Sequence, residues 1–298
     1  MRDATAAPAL SVVITDFNGW AQTEVCLQHL RASSYRDFHV IVVDHGTTDE
    51  TANGLATFAD CTRVAASPDL WWTGATNVGI RKAMELGATR IMLLNNDGYV
   101  TPTTLAELMV GVSAYPDHVI APVQRGTSSD AVVVARAGTC FTLGFPTIVL
   151  PHMRKLTSGV GGLVPTRMII GGRGVIIPVG VFNSVGLFDE EALPHYAADH
   201  DFYMRCRQHD VALRIAPTAS VAIDDTRTTI AKNLGSMKLA EFVASFSNPR
   251  SHRNIATLRR LFGRYYPIRP LYFVGVALNV LRYAISYLVA RLLAPLRR

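Results

Sequence analysis

A chain of 298 residues that is 49% hydrophobic and 17% charged is not a disordered protein, and it is long enough to bury one large α/β domain or two smaller ones. Its four cysteines, Cys26, Cys61, Cys140 and Cys206, form no CxxC pair or zinc-ligand spacing, so reduced, mostly buried thiols are expected. The formal charge of +6 belongs to the tail: residues 250–298 hold ten arginines and no acid, while the first 249 residues are net acidic. That weakens a nucleic-acid reading of the whole chain and points to a local anionic partner such as a membrane surface.

In chain order, Leu10 to Thr15 (LSVVIT) reads as a first strand, followed by the turn residues Asp16, Asn18 and Gly19 and a helix over about 21–32. Phe38 to Val43 (FHVIVV) is a second buried strand ending on Asp44, and Thr47 or Thr48 can cap a helix beginning near Asp49. A weaker third strand covers 62–65, and an amphipathic helix follows over about 75–86. The fourth strand, in RIMLLNNDGY, runs from Ile91 to Leu94 straight into Asn95, Asn96 and Asp97. So short and uniformly apolar a run fits the covered centre of a parallel sheet, and ligands of open α/β sheets gather at the carboxyl ends of such strands. Asp97 then suits a hard cation meeting a phosphate; an Asx turn closing the strand is the competing reading. A helix over 102–114 and a strand over 118–123 continue the alternation, which predicts parallel βαβ units in a doubly wound sheet. No GxGxxG follows the first strand and no GxxxxGK[ST] occurs, which disfavours dinucleotide and P-loop folds. A divalent metal, Mg²⁺ or Mn²⁺, on Asp97 is the expected way to hold phosphates.

Residues 124–167 read as mixed strand and loop, and 167–178 (RMIIGGRGVIIP) as two short strands around Gly171 and Gly172. Those glycines either turn the chain or let backbone approach a ligand. A second carboxylate cluster lies in GLFDEEALPHYAADHDFYMRCR, where Asp199 and Asp201 open a helix running to about residue 208. Acids suit a helix N-terminus, but two histidines, an aromatic pair and an arginine crowd the same segment. The chain thus offers a metal-type site and a separate acid–base site.

Four motifs, VVITDFNG, VIVVDHGTTDET, LLNNDGYV and GLFDEEALPHYAADHDF, resemble in content and order those of the inverting family 2 glycosyltransferases. The resemblance covers roughly residues 9–225 and is strongest to the branch containing bacterial rhamnosyltransferases. It implies a GT-A-type doubly wound, mostly parallel sheet with a helical C-terminal extension. Residue by residue it implies Asp44 as nucleobase contact, Thr15 and Asn18 near base and ribose, Asp97 as metal ligand and Asp199 as general base, with Asp201 the alternative. Trp72, Asn77 and Asn96 join the expected donor pocket, although core packing is an equal reading of Trp72. Three positions depart from the family pattern: Asn95 stands at the usual first acid of the metal motif, Ala198 at a common glutamate, and Asp224 with Asp225 where many relatives carry histidine. Either of these aspartates, Asp224 first, is the expected second metal ligand, unless the site goes without one.

The expected domains are 1–227, catalytic, with the nucleotide-sugar part over about 9–123 and the acceptor part over 124–227, and a helical extension over 228–298. Helices are read at 239–246, 254–265 and 271–293. Gly275, Asn279, Arg282 and Ser286 make one narrow polar stripe on the last. An interfacial helix whose flanking arginines meet anionic lipid is favoured there, over a homo-oligomer interface or a membrane span. The N-terminal stretch MRDATAAPAL has no run apolar enough for a signal peptide, so a cytoplasmic protein at the inner membrane face is expected. The expected activity is transfer of a sugar from dTDP-rhamnose or a UDP-sugar to a glycan or lipid-linked acceptor. The rivals are a sugar nucleotidyltransferase, whose glycine-rich, lysine-bearing first loop TDFNGW lacks, and a scaffold that kept the fold without the chemistry.

Overall fold

The computed structural model describes residues 10–128, 130–150, 162–223 and 234–293. The first part alternates as read: β1 (Leu10–Asp16), α1 (Trp20–Arg31), β2 (Phe38–Asp44), α2 (Glu50–Leu55), β3 (Cys61–Ala65), α3 (Trp71–Glu85), β4 (Arg90–Leu94), β5 (Gly98–Val100), α4 (Thr104–Ala114) and β6 (Val119–Gly126). Then come β7 (Val132–Val134), β8 (Arg136–Cys140), β9 (Phe145–Leu150), β10 (Val164–Pro165), β11 (Arg173–Pro178), α5 (Val179–Val185), α6 (Ala198–Gln208) and β12 (Leu213–Ile223). Three helices follow: α7 (Leu239–Ala244), α8 (Ile255–Tyr265) and α9 (Tyr272–Leu293).

The main sheet has the order β10-β12-β6-β11-β4-β1-β2-β3. β3, β2, β1 and β4 are mutually parallel, as are β6 and β12. β11 runs antiparallel between β4 and β6. Side chains alternate across the sheet, so each apolar run feeds two cores. Val13, Ile41, Val43, Ile91 and Leu93 pack with α3, α5 and α6 on one face. Val12, Ile14, Val40, Val42, Met92 and Leu94 pack with α1, α2 and α4 on the other. Burial on both faces explains why these strands are continuously apolar.

Two expectations change. The pair of strands read around Gly171 and Gly172 is a single strand, β11, preceded by a loop, because the backbone of both glycines is engaged outside the ladder: Gly171 N–H donates to Asp199 and Gly172 C=O accepts from Asn95 N–H. The polar stripe of α9 is its inner face. Gly275 and Asn279 are buried, Asn279 Nδ2 donates to Gly144 C=O at 2.6 Å, and the exposed side presents Phe273, Leu281, Ile285, Leu288 and Leu292. Gly144 has φ +75°, and a Cβ there would lie 2.5 Å from Asn279 N, so only glycine admits this approach.

The helices beyond residue 234 are built onto the body. Leu258, Leu261 and Phe262 of α8 form a cluster with Phe141 and Val276 that also touches Ala197 and Met204. Arg260 Nη1 donates to Ala192 C=O at 2.6 Å. The expected division at 227/228 falls in a stretch outside the described residues.

Candidate active site

The crevice lies where the sheet's chain order reverses beside β1. β1 and β2 end in register at Asp16 and Asp44, and β4, on the other side of β1, ends beside Asn95. Asp16 is fully buried and holds the first loop, accepting from Gly19 N–H at 2.9 Å, Thr51 Oγ1 at 3.0 Å and Thr23 Oγ1. Asn18 sits at φ 54° and ties the β1–α1 and β2–α2 loops together, its Oδ1 accepting from Thr47 N–H at 2.8 Å and Thr48 N–H at 3.2 Å. Thr15 is half-buried at the end of β1. Asp44 is buried, and its Oδ2 accepts both Nε (2.9 Å) and Nη2 (2.7 Å) of Arg63, leaving Oδ1 with a long contact to Gly46 N–H. Asn96 donates to Thr23 Oγ1 at 3.1 Å. Asn77 is not on an open wall: its side chain is buried and clamps Phe188, donating to the carbonyl at 2.9 Å and accepting from the N–H at 3.1 Å. This corrects its reading as a donor contact, since an amide engaged at both ends has little left for a ligand.

A cavity of about 670 Å³ opens beside the end of β4, and Trp72, Asn95, Asp97, Gly171, Arg173 and Asp199 are among its walls. That size is typical of small-molecule sites. Trp72 packs its ring edge-on to Phe188, and its Nε1 donates to Asn95 Oδ1 at 3.2 Å at the cavity wall. Asp97 Oδ2 accepts from Arg173 Nη2 at 3.3 Å, while its Oδ1 is buried with no hydrogen-bond partner. An orphaned carboxylate oxygen in a cavity wall fits one hard cation, because Mg²⁺-type sites use one or two carboxylates and complete their shell with phosphate and water. Among the described residues no group of three or more His, Cys, Asp or Glu side chains could hold a metal by itself. Asp224 lies outside the described residues.

The two acids of α6 part ways. Asp199 Oδ2 accepts from Gly171 N–H at 2.8 Å, and Oδ1 faces His200 Nδ1 at 2.9 Å. Gly171 takes φ +72° to present that N–H, a conformation cheap only for glycine. Burial would raise the Asp199 pKa, but the charge and hydrogen bond of His200 with the two backbone N–H groups hold it at about 2. Burial disfavours the charged form of His200, yet Asp199 outweighs it and raises its pKa, while Nε2 meets Thr147 Oγ1.

Asp201 is completely buried on the opposite side of the helix. It accepts from Arg205 Nε at 2.9 Å, Arg264 Nη1 at 2.8 Å and Tyr265 OH at 2.8 Å, and Arg264 continues to Asp189 at 2.5 Å. Asp201 is therefore a staple between α6 and α8 rather than the alternative base.

The remaining walls come from residues that the sequence reading did not assign to the site: Thr147 of β9, Tyr196, His252, Leu258 of α8, and Arg282 and Tyr283 of α9. Arg282, expected in the polar stripe of an interfacial helix, instead has its guanidinium over the Phe145 ring at 4.8 Å and the Tyr283 ring at 4.4 Å, on the cavity wall. The crowding of His and aromatic residues at 195–203 was the one signal that a second wall existed.

A relative from Rickettsia felis described as an uncharacterized glycosyltransferase is 23% identical over 70% of this chain, and the chain spans about a third (32%) of that protein's length. The crystal structure of GalNAc-T7 with UDP, GalNAc and Mn²⁺ superposes with a TM-score of 0.62 at 15% identity, over 72% of this chain and 44% of that one. The mannosyltransferase PcManGT of Pyrobaculum calidifontis, in complex with GDP-Man and Mn²⁺, gives a TM-score of 0.58 at 14% identity over 97% of this chain and 75% of its own. The fold is accordingly that of GT-A enzymes, a mixed α/β structure around a curled central sheet with a C-terminal helix. Residues 11–157 match the family model described as Glycosyl transferase family 2.

Proposed function

We propose that this chain moves a sugar from a nucleoside diphosphate, dTDP-rhamnose or a UDP-sugar, to a glycan or lipid-linked acceptor with inversion, as one step in building a cell-surface polysaccharide. The observation that carries the reading is that Asp97 and Asp199, from opposite parts of the chain, line one cavity. Inversion by single displacement needs one base for the acceptor hydroxyl and stabilisation of the departing diphosphate, and no carboxylate nucleophile.

Asp199 is the proposed base. Its Oδ2 accepts from Gly171 N–H and its Oδ1 faces His200 Nδ1, and a carboxylate, with about four lone-pair sites, keeps capacity for the acceptor O–H. Held low, at about 2, it is ionised at neutral pH and takes the proton as the acceptor oxygen bonds to the anomeric carbon. The electron pair of the breaking bond leaves with the diphosphate. Arg173 supplies fixed positive charge on that side, beside Asp97. A divalent cation held by Asp97 would add charge neutralisation there. Asp44 and Thr15, at the strand ends, serve the nucleobase, with Asn18 and Asn96 holding the loops around it.

Slow hydrolysis across a nucleotide-sugar panel with added Mg²⁺ or Mn²⁺ tests the reading; a chain that binds and hydrolyses no member would be the scaffold instead.

The exposed apolar face of α9 and the surplus of arginine in the tail further support attachment to an anionic membrane face. The same residues 269–293 are long and apolar enough to cross a bilayer. The close approach of α9 to Gly144 supports a helix lying along the body over one that spans. Vesicle sedimentation that weakens as salt rises is expected; retention indifferent to salt would favour a span.

A further inference from the structure

Two guanidiniums of the C-terminal part, buried Arg253 in the turn before α8 and part-buried Arg282 of α9, have no acidic partner among the described residues. Arg253 is 3% exposed, and its Nε and Nη2 have no hydrogen-bond partner; the same holds for Arg282 Nε. Both lie over the ring of Tyr283, at 5.4 and 4.4 Å, and Arg253 also lies 5.8 Å from the centroid of Phe242. Ring faces attract a cation but accept none of its N–H hydrogens in the plane where a guanidinium donates. Burial pushes Arg253 below the usual arginine range, with only Tyr283 opposing it. A buried charge without a partner is costly enough that an anion is the expected complement.

The place of these arginines narrows the anion. Arg282 lines the cavity that holds Asp199, and Arg253 lines an adjoining recess of about 390 Å³. Tyr196 and His252 border both spaces. Burial, then Arg253 and Arg282, hold His252 down at about 4, so it is neutral and adds a hydrogen-bonding group without a competing charge. The end of β4 already has Asp97 and Arg173 for a donor diphosphate. A second cationic pair, on other elements, suits a second anion.

We propose that Arg253 and Arg282, grouped about Tyr283 and His252, form a phosphate subsite for an acceptor that carries a phosphate or diphosphate group. This rests on the glycosyl-transfer reading for the word acceptor, but the subsite itself is measurable without transfer. Isothermal titration of the full chain with inorganic phosphate in EDTA should show binding. Arg282→Gln and Arg253→Gln should each weaken it by about tenfold or more, while Arg282→Lys keeps most of it. Arg253 is deeply buried, so circular dichroism accompanies that variant; the partly exposed Arg282 decides the outcome if Arg253→Gln does not fold. If Arg173→Gln removes phosphate and Arg282→Gln does not, the anion belongs to the donor side and the proposal is overturned. It is equally overturned if phosphate fails to bind while Arg282→Gln loses attachment to phosphatidylglycerol vesicles, since the arginines would then read a lipid headgroup. Phosphate binding by a chain that transfers no sugar would keep the subsite and sink the transferase reading; transfer without phosphate binding would do the reverse.

Discussion

The cavity side and the outer side of α6 carry the same residue type two positions apart, with opposite surroundings. On the cavity side Asp199 meets one loop N–H and one imidazole, and its side chain keeps 16% of its surface exposed. On the outer side Asp201 is sealed between two guanidiniums and a phenol. An aspartate in the first turn of a helix is thus no evidence of reactivity in itself. What separates the two is whether the partners leave a lone pair facing open space. The same test sorts the strand ends: Asp16 is filled by one loop N–H and two helix hydroxyls, whereas Asp97 keeps an orphaned oxygen.

Breaking each side in turn should give different failures. The largest expected effect is on turnover: Asp199→Asn should lower it by roughly 10²–10⁴-fold, as for loss of a general base, with donor affinity nearly unchanged. Should Asp201→Asn produce that loss at unaltered stability while Asp199→Asn does not, the two sides have been assigned the wrong way round. Next, Asp97→Asn should remove the metal dependence of donor binding in calorimetry with and without Mn²⁺, because the amide no longer offers a charged ligand; an undiminished metal effect would take Asp97 out of the site. Smaller again, Asp201→Asn should destabilise the fold by roughly 1.5–3 kcal/mol through its charged hydrogen bonds, read as a lower urea midpoint, with turnover per folded molecule retained.

The parallel half of the sheet was legible because burial on both faces writes itself as unbroken apolar runs, and Ile91 to Leu94 is the clearest of them. The inner wall of the cavity was legible in part, since Asp97 and Asp199 sit in local patterns of strand end and helix start. The outer wall was not. Arg282 within an apolar helix and Asn279 one turn before it have the same spacing whether they face lipid or a folded partner, and only the docking of α9 through Gly144 separates the cases. Asn77 was misread for a related reason: nothing local reveals that its amide meets Phe188, more than a hundred residues away.

The subtlest way to sharpen the comparison is pH. In the fold the Asp199 carboxyl is lowered from its ordinary 3.8 to about 2, and His200 is raised above its ordinary 6.5. The Asp199 contribution to stability is therefore present above its ordinary value and lost as pH falls toward about 2. The His200 contribution is present below 6.5 and lost as pH rises through the raised folded value. Between 3.8 and 6.5 the ion pair stabilises in full. Whole-protein stability will not display this cleanly, because His45, His195 and His252 are lowered by burial and have the opposite sign. Each of them costs stability as pH falls below 6.5. The difference between wild type and His200→Gln removes that background. It should amount to roughly 1–2 kcal/mol at pH 5–6, measured by urea titration, and shrink on the alkaline side. A difference that stays flat across pH, or grows above pH 8, would mean that His200 carries no positive charge beside Asp199 in the fold, which would leave that carboxylate with hydrogen bonds alone and a stronger base than its surroundings now imply.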